Sequence, residues 1–214
     1  MPTKLYGVLR SRASRPDWLL RELGVPYERV PVIQAGRAKE GEMSTASPEF
    51  RAINPNGAIP SLDDDGLVLH ESLAMNLYLA KKHGGPLAPR DVGEDGLMTM
   101  WSFWAATAVE PHAINIIYHG PKGTKGSDRG IYAAAVMALR DPLAVLEAAL
   151  TAGNGHPVGG RFTVADINVA EVVRYAGGAP ELFESVPGVA AWIAACQSRP
   201  AYAAMMEERG REAP

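Results

Sequence analysis

The chain has 214 residues, of which 47% are hydrophobic and 21% charged, so it can bury the core of one large domain or two small ones. Its net charge of −3 does not favour binding to nucleic acid or an anionic membrane, and the sequence has no basic run, zinc-ligand spacing or membrane-length apolar segment. A single cysteine, Cys196, and the absence of a signal-peptide pattern in MPTKLYGVL predict a cytoplasmic protein without internal disulfides.

The first part of the chain alternates strand patterns with helix patterns. Residues 4–9, KLYGVL, predict a strand, and the apolar spacing of PDWLLREL predicts a helix that ends at Gly24. A second strand is predicted at residues 27–32. Because these two strands flank one helix, we expect them to lie parallel in the same sheet.

A hairpin and a further helix follow a segment that has no sustained periodicity. Residues 59–71 predict two short strands joined at DDDG, where Gly66 can adopt a positive φ. The next segment, SLAMNLYLAKKHG, predicts a helix closed by Gly84. Strands and helices therefore occupy residues 1–84.

From about residue 91 onward the sequence predicts helices only. Pro111 is expected to kink or break the first long helix. Farther along, Thr163 and Asp166 form the capping-box pattern that begins a helix. A linker rich in proline and glycine separates the two parts at residues 83–93, so the sequence predicts a small α/β domain followed by an all-helical domain.

Two short motifs in the first domain indicate a site for a peptide carboxylate. In NPNGAIPSL, Pro60 precedes a strand; a cis Ile59–Pro60 bond would turn the Ile59 backbone outward, although only about 5–6% of such bonds are cis and the local sequence alone favours trans. Glu71 and Ser72 then begin a helix. The N–H groups at the N-terminus of a helix attract a carboxylate.

In this order, the motifs resemble the cytosolic glutathione transferase superfamily in its bacterial, serine-class form. The resemblance covers nearly the whole chain, from KLYGVLRSRASRPDWLLRELGVPYERV through INPNGAIPSLDDDGLVLHE to TVADI and PGVAAWIAACQSRPAYAAM. It implies a thioredoxin-like domain with a mixed four-stranded sheet over residues 1–84. It also implies an all-α domain over residues 91–214 that forms the pocket for an electrophile.

The resemblance further implies roles for single residues. Ile59 would pair with the cysteinyl backbone of glutathione across a cis Pro60, while Glu71 and Ser72 would hold the γ-glutamyl carboxylate and amine. The implied activity is conjugation of glutathione, a co-substrate, to small hydrophobic electrophiles by a cytoplasmic homodimer without a cofactor. A glutathione-dependent isomerase, peroxidase or dehalogenase remains an alternative, as does a non-catalytic ligand-binding or stress protein.

The family places its thiol-activating group near the start of the first helix, where this chain has two serines. Ser14 opens the pattern SRPD, in which it would be the N-cap and Asp17 would bond back to it, so its hydroxyl would be occupied. Ser11 has no such role and is predicted to be the catalytic residue, with Ser14 and Arg12 as alternates. A hydrogen bond from Ser11 and the positive helix end would lower the pKa of the glutathione thiol. Tyr6 lies too early and is expected to pack in the first strand.

Other polar and aromatic residues admit both a functional and a structural explanation. Trp104 and His112, on the first long helix of the second domain, are predicted to line the electrophile pocket, although ordinary core and interface packing is the favoured explanation for either residue taken alone. Arg51 and Asn54 could touch the glycine end of glutathione, but we expect them to be solvated loop residues. The aspartates at 63–65 fit a hairpin turn better than a metal site, so no metal is expected.

Overall fold

The structure, a computed structural model, describes residues 2–212, which form two compact units. Of the described residues, the first unit contains 2–83 and 199–212, and the second unit is Gly84–Ser198. The sequence predicted a helical domain over residues 91–214. In the structure, the described residues from Arg199 onward pack with the first unit instead.

A mixed four-stranded sheet lies at the centre of the first unit, in the order β2-β1-β3-β4. Its strands are β1 (Thr3–Tyr6), β2 (Tyr27–Val30), β3 (Ser61–Asp64) and β4 (Leu67–His70). β1 is parallel to β2 and antiparallel to β3, and β3 and β4 form the hairpin. The predicted parallel pair, hairpin and mixed sheet are confirmed. β1 is shorter than predicted because the chain turns at Gly7.

Three helices complete the first part of this unit: α1 (Ser14–Leu23) and α2 (Pro48–Ile53) lie between strands, and α3 (Ser72–His83) follows β4. α1 ends at Gly24, as predicted, with a left-handed φ of 64°. No sequence pattern predicted α2, whose single buried residue is Phe50. The Phe50 ring lies 6.5 Å from that of Tyr6, which packs in β1 as expected.

A helix that is distant in sequence, α9 (Pro200–Arg211), also belongs to the first unit. Tyr202 on α9 packs edge-on against Trp18 of α1, with 4.8 Å between the ring centroids. Ion pairs fix the same contact, joining Arg199 to Glu22, and Glu208 to Arg21 and Arg29. These apolar and charged partners explain why α9 joins the α/β unit.

The second unit consists of helices: α4 (Val92–Trp104), α5 (Glu110–His119), α6 (Arg129–Ala152), α7 (Val164–Val173) and α8 (Pro187–Gln197). A π-helical turn, Ala105–Val109, separates α4 from α5, and in it the Glu110 N–H bonds to the Ala105 carbonyl. This is the interruption that Pro111 predicted, because proline has no N–H to continue the α-helical ladder. Within residues 2–212, no helix is long and apolar enough to cross a membrane.

α7 forms the centre of the second unit, and every one of its residues is buried. The predicted capping box at its start is confirmed: the Thr163 N–H donates to Asp166 Oδ2 at 2.8 Å, and the Thr163 side chain accepts from the first turn. Asp166 also accepts a hydrogen bond from the Trp192 indole at 2.9 Å. Cys196 is buried, as expected for a packed thiol.

Candidate functional site

Strand register brings three predicted segments to one end of the sheet. Tyr6 ends β1 and pairs with Ser61, which begins β3; Ser61 in turn pairs with His70, which ends β4. The loop after β1, the Ile59–Pro60 bond before β3 and the Glu71–Ser72 segment after β4 therefore leave the sheet at the same end.

The loop after β1 passes so close to Ala13, at the start of α1, that residue 7 must be glycine. Gly7 has a φ of +145°, which side-chain-bearing residues rarely adopt. A Cβ at this position would lie 2.9 Å from the Cβ of Ala13 and 3.5 Å from that of Ile59. The Ile59–Pro60 bond is cis, as the family resemblance implied and against the local odds.

Ser11 lies half-buried in a β-turn just before α1. Its Oγ donates to the Val8 carbonyl at 2.6 Å and accepts from the Ala13 N–H at 3.1 Å. The Ser11 N–H also bonds to the Val8 carbonyl, at 3.0 Å, which closes the turn. The hydroxyl is therefore fixed at the beginning of α1 while part of the residue remains accessible to solvent.

Ser14 does not cap α1, so the predicted N-cap at this serine, with Asp17 bonded back to it, is wrong. The N-cap is Ala13, and Ser14 is the first residue of the helix, with no exposed surface. Asp17 instead accepts hydrogen bonds from Arg21 Nε, at 2.6 Å, and from the Tyr27 hydroxyl. Ser14 is therefore a poorer candidate than Ser11 because it is buried, and not because it caps the helix. A fully buried hydroxyl cannot reach a ligand without movement of its surroundings.

Ser72 begins α3 and is joined to α1 by a buried arginine that the sequence analysis missed. Arg15 Nη1 donates to Ser72 Oγ at 3.1 Å, and Asn76 Nδ2 donates to the Arg15 carbonyl at 3.3 Å. The sequence feature that could have predicted its burial is the position of this arginine, one turn before Trp18 on the apolar face of α1. An arginine is rarely buried unless polar partners receive it.

Glu71 is exposed and has a φ of 68°, an unusual conformation for a residue other than glycine. The Met75 N–H bonds back to the Glu71 carbonyl at 2.9 Å, so the amides of the first turn of α3 point out towards this end. The positive helix end and an accessible carboxylate thus lie side by side. This combination suits the carboxylate and amine of an amino acid.

Asn54 is buried rather than solvated, which corrects the expectation from sequence. Its Nδ2 donates to the Ala58 carbonyl at 2.7 Å, and its Oδ1 accepts from the Asn56 N–H at 3.0 Å. These bonds shape the turn that leads into Ile59. Arg51 is exposed, as expected.

Trp104 and His112 lie in the second unit, on either side of the π-helical turn, and both are half-buried. The Trp104 ring packs edge-on against that of Trp101, with 4.9 Å between centroids. Their predicted contact with an electrophile stays a prediction.

The aspartates of the hairpin have structural partners. Asp63 Oδ1 accepts from the Gly66 N–H at 2.9 Å, as in the predicted turn, and Asp64 Oδ1 accepts from Thr3 Oγ1 at 3.0 Å. Across residues 2–212, no three histidine, cysteine or acidic side chains are grouped so that they could hold a metal ion.

Comparison with known proteins gives consistent matches over both units. Family models for the N-terminal and C-terminal domains of glutathione S-transferases match residues 5–87 and 129–195. Glutathione S-transferase 3 from Zea mays is 32% identical over 212 residues, covering 94% of this chain and 91% of the maize protein.

Solved structures extend the similarity to the fold. Glutathione S-transferase-I bound with lactoylglutathione matches with a TM-score of 0.82 and 27% identity, over 97% of this chain and 100% of that one. A theta class glutathione S-transferase from Xanthomonas axonopodis pv. citri, with glutathione bound, matches with a TM-score of 0.77 and 30% identity, over 94% and 96% of the two chains.

Proposed function

Because the chain belongs to the glutathione S-transferase family, we propose that it conjugates the thiolate of glutathione to small hydrophobic electrophiles through a serine-class site. One observation carries this proposal. The turn with Ser11, the Ile59–Pro60 bond and the Glu71–Ser72 segment all leave the sheet at the same end. No metal or other cofactor has a part in the proposed chemistry, in which glutathione is a co-substrate.

Glutathione would be held by its backbone and by its γ-glutamyl end. The N–H and carbonyl of Ile59 would pair with the cysteinyl residue across Pro60. At the start of α3, the helix end and the Ser72 hydroxyl would bind the γ-glutamyl carboxylate, and Glu71 would bind the amine. The bond from Arg15 to Ser72 Oγ leaves the Ser72 proton available for donation to that carboxylate.

Ser11 would stabilise the thiolate rather than act as a base. Its hydroxyl can rotate from the Val8 carbonyl towards the sulfur while Oγ keeps the bond from the Ala13 N–H, which polarises the hydroxyl and makes it a better donor. A free thiol has a pKa of about 8.5, and lowering it by about two units requires about 2.7 kcal/mol. One charge-assisted hydrogen bond and the positive end of α1 can supply this amount. The thiol proton passes to solvent. The thiolate then attacks an electrophilic carbon and forms a C–S bond, while the leaving group departs from that carbon with its bonding electron pair or, in an addition, the π-electron pair moves to the neighbouring atom, which takes a proton from solvent.

The direct test is a pH titration of the ultraviolet thiolate absorbance of bound glutathione. We expect a lowered thiol pKa in the wild-type protein and a return towards about 8.5 in Ser11→Ala. Ser127→Ala, at an exposed position in the second unit, is the matched control and should not change it. A lowered pKa that survives Ser11→Ala would transfer the role to Ser14, Arg12 or the loop backbone.

The reaction type can be tested by product analysis with a panel of electrophiles, peroxides and haloalkanes. Conjugates with apolar electrophiles are expected. Products of isomerisation, peroxide reduction or dehalogenation would favour the alternative glutathione-dependent activities, and failure to bind glutathione would favour a non-catalytic ligand-binding or stress protein.

The second substrate, assembly and location belong to the same proposal. If Trp104 and His112 contact the electrophile, Trp104→Ala should raise the KM for the electrophile and leave the Kd for glutathione unchanged.

We expect a cytoplasmic homodimer with a role in detoxification. A solution mass near the 22.8 kDa of one chain would contradict the dimer.

A further inference from the structure

The turn that carries Ser11 is bound by α9 and by the residue that follows it. Glu212 Oε1 accepts a hydrogen bond from the Leu9 N–H, and Glu212 Oε2 accepts one from the Arg10 N–H, both at 3.0 Å. Arg209 Nε donates to the Leu9 carbonyl at 2.8 Å, and Arg10 Nε donates to the Glu212 carbonyl at 3.0 Å. Leu9 and Arg10 are the two central residues of the Val8–Ser11 turn.

This contact differs from an ordinary surface ion pair. The Glu212 side chain is only 19% exposed, and Leu9 is fully buried. A carboxylate that accepts from two successive backbone N–H groups makes strong charge-assisted bonds of defined geometry. The supporting helix is itself fixed, because Glu208 pairs with Arg21 on α1 and with Arg29 on β2.

We propose that Glu212 is a positioning residue for thiolate stabilisation, acting by holding the Val8–Ser11 turn in one conformation. This inference rests on the proposed function of Ser11. The central amides of a loop turn are usually solvated, and such a turn is mobile. Here they bind Glu212, and the two bonds that orient Ser11 Oγ, to Val8 and Ala13, depend on the shape of that same turn.

The test compares Glu212→Ala with Glu207→Ala in the full chain. Glu207 lies on α9 too, but it is exposed and pairs with Arg211 of the same helix, so it is the matched control. In Glu212→Ala we expect the pKa of bound glutathione to rise by about 0.5–1 unit, with a loss of about three- to tenfold in kcat/KM at neutral pH. The Kd for S-methylglutathione, a probe without a thiol, should stay within about twofold of the wild-type value. Glu207→Ala should change neither quantity.

Glu212→Gln provides the conservative variant, since its amide keeps one acceptor oxygen, and its thiol pKa should lie between those of wild type and Glu212→Ala. It also carries the comparison if Glu212→Ala does not fold. An unchanged thiol pKa with a lower unfolding temperature would overturn the proposal and leave Glu212 a structural role. A lower thiol pKa would overturn it too, because the carboxylate would then act by its charge. A wild-type protein that does not lower the thiol pKa would instead refute the proposed function itself.

Discussion

Two helices of this chain begin at the same sequence pattern, Ser/Thr-x-x-Asp, but only one of them forms a capping box. At α7, Thr163 is the N-cap, and its N–H donates to Asp166 at 2.8 Å. The two residues of the pattern bond to each other there, and the second oxygen of Asp166, Oδ1, also hydrogen-bonds with His156 and with the Trp192 indole.

At α1 the same pattern is used differently. Ser14 lies inside the helix, and Asp17 accepts from Arg21 and from the Tyr27 hydroxyl on β2. Burial and the nearby Asp17 carboxylate raise the pKa of Tyr27 above its ordinary value. Arg29, also on β2, lies 3.5 Å from the same carboxylate.

The difference shows that tertiary partners decide whether a local pattern forms. Three strong donors compete for Asp17, whereas the donors to Asp166 can be satisfied together with the cap. As a result, the start of α7 is held by its own cap, and the turn before α1 is held by Glu212 from another part of the chain.

The largest expected effect is from Asp166→Ala. It removes the capping box and the acceptor of the buried Trp192 N–H, so we expect the free energy of unfolding to fall by about 3–5 kcal/mol. Urea unfolding measures the change. Asp166→Asn keeps an acceptor oxygen and should lose less. A loss below about 1 kcal/mol in Asp166→Ala would show that the box contributes little to the second unit.

Asp17→Asn should cost less, about 2–3 kcal/mol, because Arg21 and Arg29 keep Glu208 as a second partner. It should also bring the pKa of Tyr27 down towards its ordinary value, since the neighbouring negative charge is removed. An ultraviolet titration of tyrosinate detects this shift. Asp141→Asn, at an exposed position of α6, is the control and should leave both quantities unchanged.

Glu94→Gln tests how the segment leading into α7 is held. Arg161 donates to Glu94 at 2.7 Å, and this bond lowers the pKa of Glu94 from 4.5 to about 2. The stabilisation of the folded state by this ion pair is therefore complete above pH 4.5 and is lost as the pH falls towards 2.

At pH 7 we expect Glu94→Gln to be less stable than wild type by about 1–2 kcal/mol, since solvent screens this partly exposed pair. Urea unfolding at a series of pH values should show the two proteins converging below pH 4.5. A difference that stays constant down to pH 2 would contradict the ion-pair explanation.

The smallest effect is expected from Thr163→Ala, which removes the N-cap hydroxyl of α7 and should cost about 1 kcal/mol. Thr163→Ser keeps the hydroxyl and should stay close to wild type. Thermal unfolding of the two variants gives the comparison. Equal losses in both would mean that the packing of the threonine methyl group, and not the cap, determines stability at this position.

The elements that could be predicted from sequence are those with local causes. The hairpin followed from DDDG between two apolar runs, and the end of α1 followed from Gly24. α2 escaped prediction because it is a single short helix in a segment without periodicity. The location of α9 could not be predicted either, because the apolar residues of a helix do not indicate which unit that helix will pack against.

The candidate site divides in the same way. Glu71 and Ser72 could be inferred because a helix start has local signals and a general affinity for anions. The partner of Arg15 could not be inferred, because Ser72 lies 57 residues away. The bond from Arg10 to Glu212 spans 202 residues and has no local signature at either end.

The discontinuity of the first unit has a consequence for biosynthesis. The ribosome releases α1 long before α9, because all of Gly84–Ser198 is made in between. During that interval Trp18 lacks the ring of Tyr202, and the turn before α1 lacks Glu212. The second unit is continuous in sequence and can fold before the first unit has been completely synthesised. The turn that carries Ser11 should therefore reach its final conformation only after α9 and Glu212 have been translated.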